Sequence, residues 1–149
     1  MTVQLTGNDL SFEQLYEVSL RGAEASLAAE ARDRMLASRA VIETIVGAQT
    51  TAYGVNTGFG DLAEVRISTD QIRTLQVNLV RSHACGVGAP LAEPETRAII
   101  LLRANALAKG LSGVRPAIVE SLCALLSHRL SPKDMRMKQR VGSYLQGYD

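Results

Sequence analysis

Apolar positions along the first part of the chain recur at helical spacing. Ser11 followed by Gln14 has the form of a capping box, and Phe12, Leu15 and Tyr16 supply an apolar side, which predicts a short helix from residue 11. From Ala25 to Val46 no Gly or Pro intervenes, and Leu27, Ala31, Met35, Ile42 and Ile45 recur mostly at spacings of three and four, so a long amphipathic helix is expected, stopped by Gly47. The character then changes. Tyr53-Gly-Val-Asn-Thr-Gly-Phe-Gly60 packs three glycines into eight residues, which no stable helix tolerates, and 47–67 is read as irregular.

A second capping box, Ser68 to Gln71, opens a helix with Ile72, Leu75 and Leu79 on one face, broken after Arg81 by Gly86, Gly88 and Pro90. Pro94 suits the first turn of the next helix, where its missing amide has no intrahelical partner, and Gly110 can take the left-handed conformation beyond its end. Between them Ala98-Ile-Ile-Leu-Leu102 is apolar on all sides, as in a helix buried against several neighbours. Pro116 starts a further helix with Ile118, Leu122, Leu125 and Leu126 on one face. The fold class is therefore mainly α: helices over 11–46, 68–82, 93–109 and 116–129, with little strand. After Leu130 the periodicity fails, so a domain over 1–130 is expected, with 131–149 a poorly ordered tail.

Composition changes this picture only a little. With 46% apolar residues the chain can fill a core; with 4% aromatics and no Trp, that core rests on Leu, Ile, Val and Ala, a mixture that suits packed helices. Sixteen Lys/Arg against fifteen Asp/Glu leave a formal charge of +1, too weak a field to gather nucleic acid or an anionic membrane. Cys85 and Cys123 are too isolated for a disulfide framework or a metal site and fit reduced thiols, hence a cytoplasmic protein. The first residues carry no secretory pattern, and the longest apolar run, Ala98 to Leu102, is far too short to span a bilayer.

Singly, the candidate chemical groups point to no reaction. Gly54-x-x-x-Gly58-x-Gly60 has neither the spacing of a dinucleotide fingerprint nor the Lys-Ser/Thr of a phosphate loop. Tyr53 at the mouth of this loop reads as a half-buried anchor, and a phenol acts as a base only when its pKa, ordinarily about 10, is lowered by positive charge or hydrogen bonds. His83 reads as a cap or a solvent-facing residue, and with Cys85 it lacks the further ligands a zinc site needs. His128 complements a helix dipole, while Arg103, Asn105 and Arg115 are expected to pair with buried carbonyls or carboxylates.

Two strings taken together change those readings. Tyr53-Gly-Val-Asn-Thr-Gly-Phe-Gly60 and Asn78-Leu-Val-Arg-Ser-His-Ala-Cys-Gly-Val-Gly88, in this order and spacing, resemble the aromatic amino acid lyase family. Leu102-Arg-Ala-Asn-Ala-Leu-Ala-Lys-Gly-Leu-Ser-Gly-Val-Arg-Pro116 is similar to the family's next segment, so the resemblance extends from about residue 3 to about 130. Members include histidine, tyrosine and phenylalanine ammonia-lyases and related aminomutases, large, mostly helical homotetramers. They remove ammonia from an α-amino acid through a methylidene-imidazolone formed from an internal Ala-Ser-Gly.

By this resemblance Tyr53 takes the role of the base that removes the substrate β-proton, and His83 that of a residue lining the side-chain pocket. Gly54, Gly58 and Gly60 allow the loop to close over substrate. The Ser82-His83 pair can hydrogen-bond an imidazole or a phenol, where an apolar pair would favour a phenyl ring; Ser-His here is most similar to histidine ammonia-lyases, although some tyrosine aminomutases share it.

No Ala-Ser-Gly occurs in the 149 residues, and Gly142-Ser143-Tyr144 is a superficial match, because a tyrosine resists the bend that ring closure needs. The resemblance therefore implies no cofactor in this chain, no metal, and an amino-terminal fragment of an ammonia-lyase that is inactive by itself. An amino acid would be the substrate of the complete enzyme, which would be a homo-oligomer. Two alternatives stand beside this: an aminomutase of the same family, and a non-catalytic helical protein that binds a full-length relative.

Overall fold

A computed structural model describes residues 2–48, 50–58, 67–83 and 91–127. The described elements run β1 (Thr2–Leu5), α1 (Phe12–Ser19), β2 (Glu24–Leu27), α2 (Ala29–Gly47), α3 (Thr69–His83), α4 (Glu93–Ala108) and α5 (Pro116–Ser127). The chain is mainly helical, as its periodicity predicts. The expected tail over 131–149, with His128, Cys85 and Gly142-Ser143-Tyr144, lies outside the described residues.

Local chemistry starts the helices where the sequence places them. At α1 the Ser11 hydroxyl accepts from the Gln14 amide at 3.2 Å while the Gln14 side chain accepts from the Ser11 amide at 2.9 Å, closing the capping box. At α4 Pro94 sits in the first turn, and Glu95 reaches back to accept from the Ala92 amide at 3.0 Å. Gly110 follows α4 at φ +75°, the left-handed conformation expected of it.

Two expectations need correction. Residues 24–27 are strand rather than the beginning of the long helix, which starts at Ala29. β2 pairs in parallel with β1, Thr2 opposite Glu24 and Leu5 opposite Leu27, and the Gln4 side chain donates to Ser26 Oγ at 2.8 Å. Pairing across twenty-two positions outweighs local helix propensity here, and the alternation that buries Val3 and Leu5 has the strand period of two. The second correction concerns the helix read as apolar all round. Ile100 and Leu101 are fully buried, but Ile99 and Leu102 are 40% and 49% exposed, so the described chain covers α4 on one side only.

The core is one cluster built from Val3, Leu5, Val18, Ala25, Ala31, Met35, the inner face of α4 (Ile100, Leu101, Ala104, Leu107) and that of α5 (Val119, Leu122, Cys123, Leu126). Each fully buried Leu or Ile removes enough apolar surface to contribute about 1.5–3 kcal/mol. Beneath it Arg97, 3% exposed, serves as a polar staple. Its Nε donates to the Val18 carbonyl at 2.8 Å, Nη1 to the Leu126 carbonyl at 2.7 Å and Nη2 to the Ala23 carbonyl at 3.4 Å. One guanidinium thus satisfies carbonyls where α1 and α5 run out and where β2 is about to begin. Burial pulls its pKa down, while the charge of Glu93 acts the other way.

α2 contributes to this core only through its first turns, Ala31 and Met35. Among the described residues, its second half, the 50–58 segment and α3 supply none to the buried apolar cluster. The 50–58 turn that carries Tyr53 is tied by hydrogen bonds within itself.

Candidate functional site

The 50–58 segment follows α2 and folds on itself through short polar side chains. Asn56, 3% exposed, accepts through Oδ1 from the Ala52 amide at 2.9 Å and donates through Nδ2 to the Thr50 carbonyl at 2.8 Å. The backbone amides of Val55 and Asn56 both reach the Ala52 carbonyl, at 3.1 and 3.2 Å. Thr57, 1% exposed, accepts from the Gly54 amide at 3.3 Å and donates to the Gly58 carbonyl at 2.9 Å. Asn and Thr are suited to this because their short side chains bond backbone groups within a few residues, as at caps and turns.

At the tip of this turn stands Tyr53, 67% exposed, followed by Gly54 at φ +75°. An L-residue at position 54 would hold that conformation at a cost of about 1–2 kcal/mol, so the glycine lets the chain reverse just after the tyrosine. Gly58 is buried, and Gly60 lies outside the described residues. The turn presents the phenol outward on a backbone that is hydrogen-bonded on both sides.

The Ile67 amide donates to the Asn56 carbonyl at 3.0 Å, which joins the turn to the start of α3. Ser82 and His83 lie at the other end of that helix, about 20 Å along its axis at 1.5 Å per residue. Ser82 is exposed and its hydroxyl donates to the Leu79 carbonyl at 2.8 Å, a bond within the helix. His83 is the final residue of α3. The structure thus connects the tyrosine turn to α3 and sets the Ser82-His83 pair on the same helix at its far end.

Three residues that the sequence reading passed over belong to this region. Asn56 and Thr57 build the turn; the signal was two short polar residues between closely spaced glycines. Gln76, in the middle of α3, is 3% exposed, with a buried Oε1 that accepts no hydrogen bond from the described residues. A buried amide in this state is costly and marks a position set by something other than helix propensity.

One cleft of about 470 Å³ opens elsewhere, between the end of α1, the start of α4 and the end of α5, lined by Arg21, Glu24, Glu93 and Arg97 among others. None of the sequence-derived site residues lines it, its charges are of both signs, and the Arg97 guanidinium is committed to carbonyls. Among the described residues no group of three or more His, Cys, Asp or Glu is placed to hold a metal ion. No helix among them is long and apolar enough to cross a membrane.

The helical order and the tyrosine turn together define a class, the ammonia-lyase and aminomutase fold at its amino-terminal region. In overall shape the chain is similar to a tyrosine aminomutase from Streptomyces globisporus, with a TM-score of 0.82 and 37% identity over 88% of this chain and 25% of that one. It is also similar to a histidine ammonia-lyase from Trypanosoma cruzi, with a TM-score of 0.77 and 39% identity over 85% of this chain and 24% of that one. In sequence it is 52% identical over 132 residues to the histidine ammonia-lyase of Sorangium cellulosum, matching 87% of this chain and 26% of that protein. The family model for aromatic amino acid lyases matches residues 10–134, and the chain belongs to that family. It spans about a quarter of the length of the curated relatives it matches.

Proposed function

We propose that this chain supplies the tyrosine-bearing amino-terminal part of an ammonia-lyase that acts on histidine, with Tyr53 as the base. The carrying observation is the exposed tyrosine on an internally bonded turn, in a chain about half identical to histidine ammonia-lyases. A β-proton beside an aromatic ring is weakly acidic, so its removal needs a base held at a fixed place, and a turn fixed by buried Asn56 and Thr57 provides that. Ser82 and His83 are assigned to the substrate side chain. A buried imidazole left facing a phenyl ring loses a hydrogen bond, which disfavours phenylalanine by about 1–3 kcal/mol. Gly54 gives the loop its reversal, and Gly54, Gly58 and Gly60 are assigned to loop closure.

The family's electrophile comes from an internal Ala-Ser-Gly, and none is present in these 149 residues. The residues of this chain therefore do not form a methylidene-imidazolone, and the purified chain is expected to release no ammonia from histidine, tyrosine or phenylalanine. A base without an electron sink gives little rate. The functional unit is then a homo-oligomer or an assembly with a full-length relative. The half-exposed Ile99 and Leu102 of α4 support a further covering of this chain. A domain over 1–130 with a divergent tail, in a reducing, cytoplasmic setting consistent with a free buried Cys123, completes the reading.

A second reading, an aminomutase of the same family, is favoured by the likeness to tyrosine aminomutases at 37–38% identity. One experiment addresses both. Residues 1–130 replace the corresponding segment of a complete histidine ammonia-lyase, and products from histidine, tyrosine and phenylalanine are separated chromatographically. Urocanate as the main product, loss of turnover by about 10²- to 10⁴-fold in Tyr53→Phe, and a shift toward phenylalanine in His83→Phe support the proposal. A β-amino acid product supports the aminomutase. A graft that prefers phenylalanine, or a Tyr53→Phe variant that keeps most of its kcat, overturns the residue roles.

A further inference from the structure

We infer that Asn56 is a positioning residue for Tyr53: its side-chain amide clamps the chain on the amino-terminal side of the tyrosine and fixes the turn before any substrate arrives. The inference rests on the proposed role of Tyr53, and the observations that carry it are geometric. Asn56 is almost completely buried, although among the described residues the 50–58 segment supplies none to the apolar core. Both ends of its amide are used, and both on backbone groups just before Tyr53: the Ala52 amide at 2.9 Å and the Thr50 carbonyl at 2.8 Å. Its own backbone closes the same ring, the amide on the Ala52 carbonyl and the carbonyl on the Ile67 amide. A single residue therefore joins three points: the stretch before the tyrosine, the turn itself and the entry to α3.

Thr57 locks the other side, accepting from the Gly54 amide immediately after the tyrosine. Tyr53 stands between the two locks, so the phenol is carried on a short span held at both ends. An aspartate at position 56 would keep the acceptor for the Ala52 amide but lose the donor to the Thr50 carbonyl. An alanine would lose both.

The test uses the full 149-residue chain and needs no turnover, so its failure is distinct from failure of Tyr53 as the base. Tyrosine is replaced by 3-fluorotyrosine, the Tyr53 fluorine resonance is assigned by its disappearance in Tyr53→Phe, and amide hydrogen exchange is followed residue by residue. In Asn56→Ala, exchange at Ala52 is expected to rise about tenfold and the Tyr53 resonance to narrow and lose dispersion, with α4 and α5 amides unchanged. In Asn56→Asp, protection of Ala52 is expected to return while the Tyr53 resonance stays intermediate. Unchanged Ala52 exchange and an unchanged Tyr53 line in Asn56→Ala overturn the inference. So does a rise in exchange shared equally by α4 and α5, which would make Asn56 a residue of general stability. Should the alanine variant fail to fold, Asn56→Asp decides: a Tyr53 line identical to that of the unsubstituted chain overturns the proposal.

Discussion

Arg97→Met removes the staple under the core while nearly filling its volume. Two of the three bonds are short, to Val18 and Leu126 at 2.8 and 2.7 Å, and the third, to Ala23, is 3.4 Å and weaker. A hydrogen bond to a charged group contributes about 1.5–3 kcal/mol, so the two strong bonds together contribute about 3–6 kcal/mol. Against this, methionine avoids desolvating a guanidinium, a cost visible in the lowered pKa of Arg97. The net loss expected is about 2–4 kcal/mol, a large part of the ~5–15 kcal/mol typical of a folded domain. Arg97→Lys keeps the charge but loses the fork, and should lose about half as much. Arg21→Ala is the control: Arg21 pairs with Glu17 at 2.7 Å, but its side chain is 64% exposed, and such a pair contributes at most about 1 kcal/mol. Urea unfolding followed by circular dichroism gives the midpoints, with an unchanged slope confirming that the unfolded state is the same. A loss below about 1 kcal/mol in Arg97→Met, or one no larger than in Arg21→Ala, would refute the staple.

Gly54 and Gly110 share φ +75° but not their surroundings: an added Cβ at 54 meets none of the described residues within 4 Å, while at 110 it comes within 2.9 Å of the Arg34 backbone. Gly54→Ala should therefore cost about 1–2 kcal/mol and Gly110→Ala about 2–4 kcal/mol, measured by the same unfolding assay; equal losses would show that conformation alone decides. Burial pushes the Cys123 thiol up to about 11, so the folded chain keeps this proton over a range in which the unfolded chain, near 8.5, has lost it. Its contribution is fully present below about 8.5 and is lost as pH rises toward about 11, so the urea midpoint should fall more steeply over that window in the natural chain than in Cys123→Ala. Parallel pH profiles would remove the group from the account.

What the sequence determined by itself is what depends on neighbours a few residues apart. The Ser11 capping box, the Pro94 start and the left-handed Gly110 all follow from groups within about one turn of each other, and they stand where the pattern put them. The tyrosine loop was legible as a loop from its glycines, and family membership from two strings in a fixed order. Tertiary structure decided the rest. Ala25 to Leu27 satisfy a helical pattern, and only the parallel pairing with Thr2–Leu5 makes them strand. Ile99 and Ile100 are neighbours of the same chemistry, and only the packing of α5 and α1 against one side of α4 buries the second and leaves the first half open. Arg97 was one cation among sixteen until the ends of α1 and α5 brought their carbonyls to it. Asn56 is the intermediate case. Its partners Thr50 and Ala52 are close in sequence, but a short polar side chain in a loop can bond many such groups, and only the closed turn shows which ones it holds.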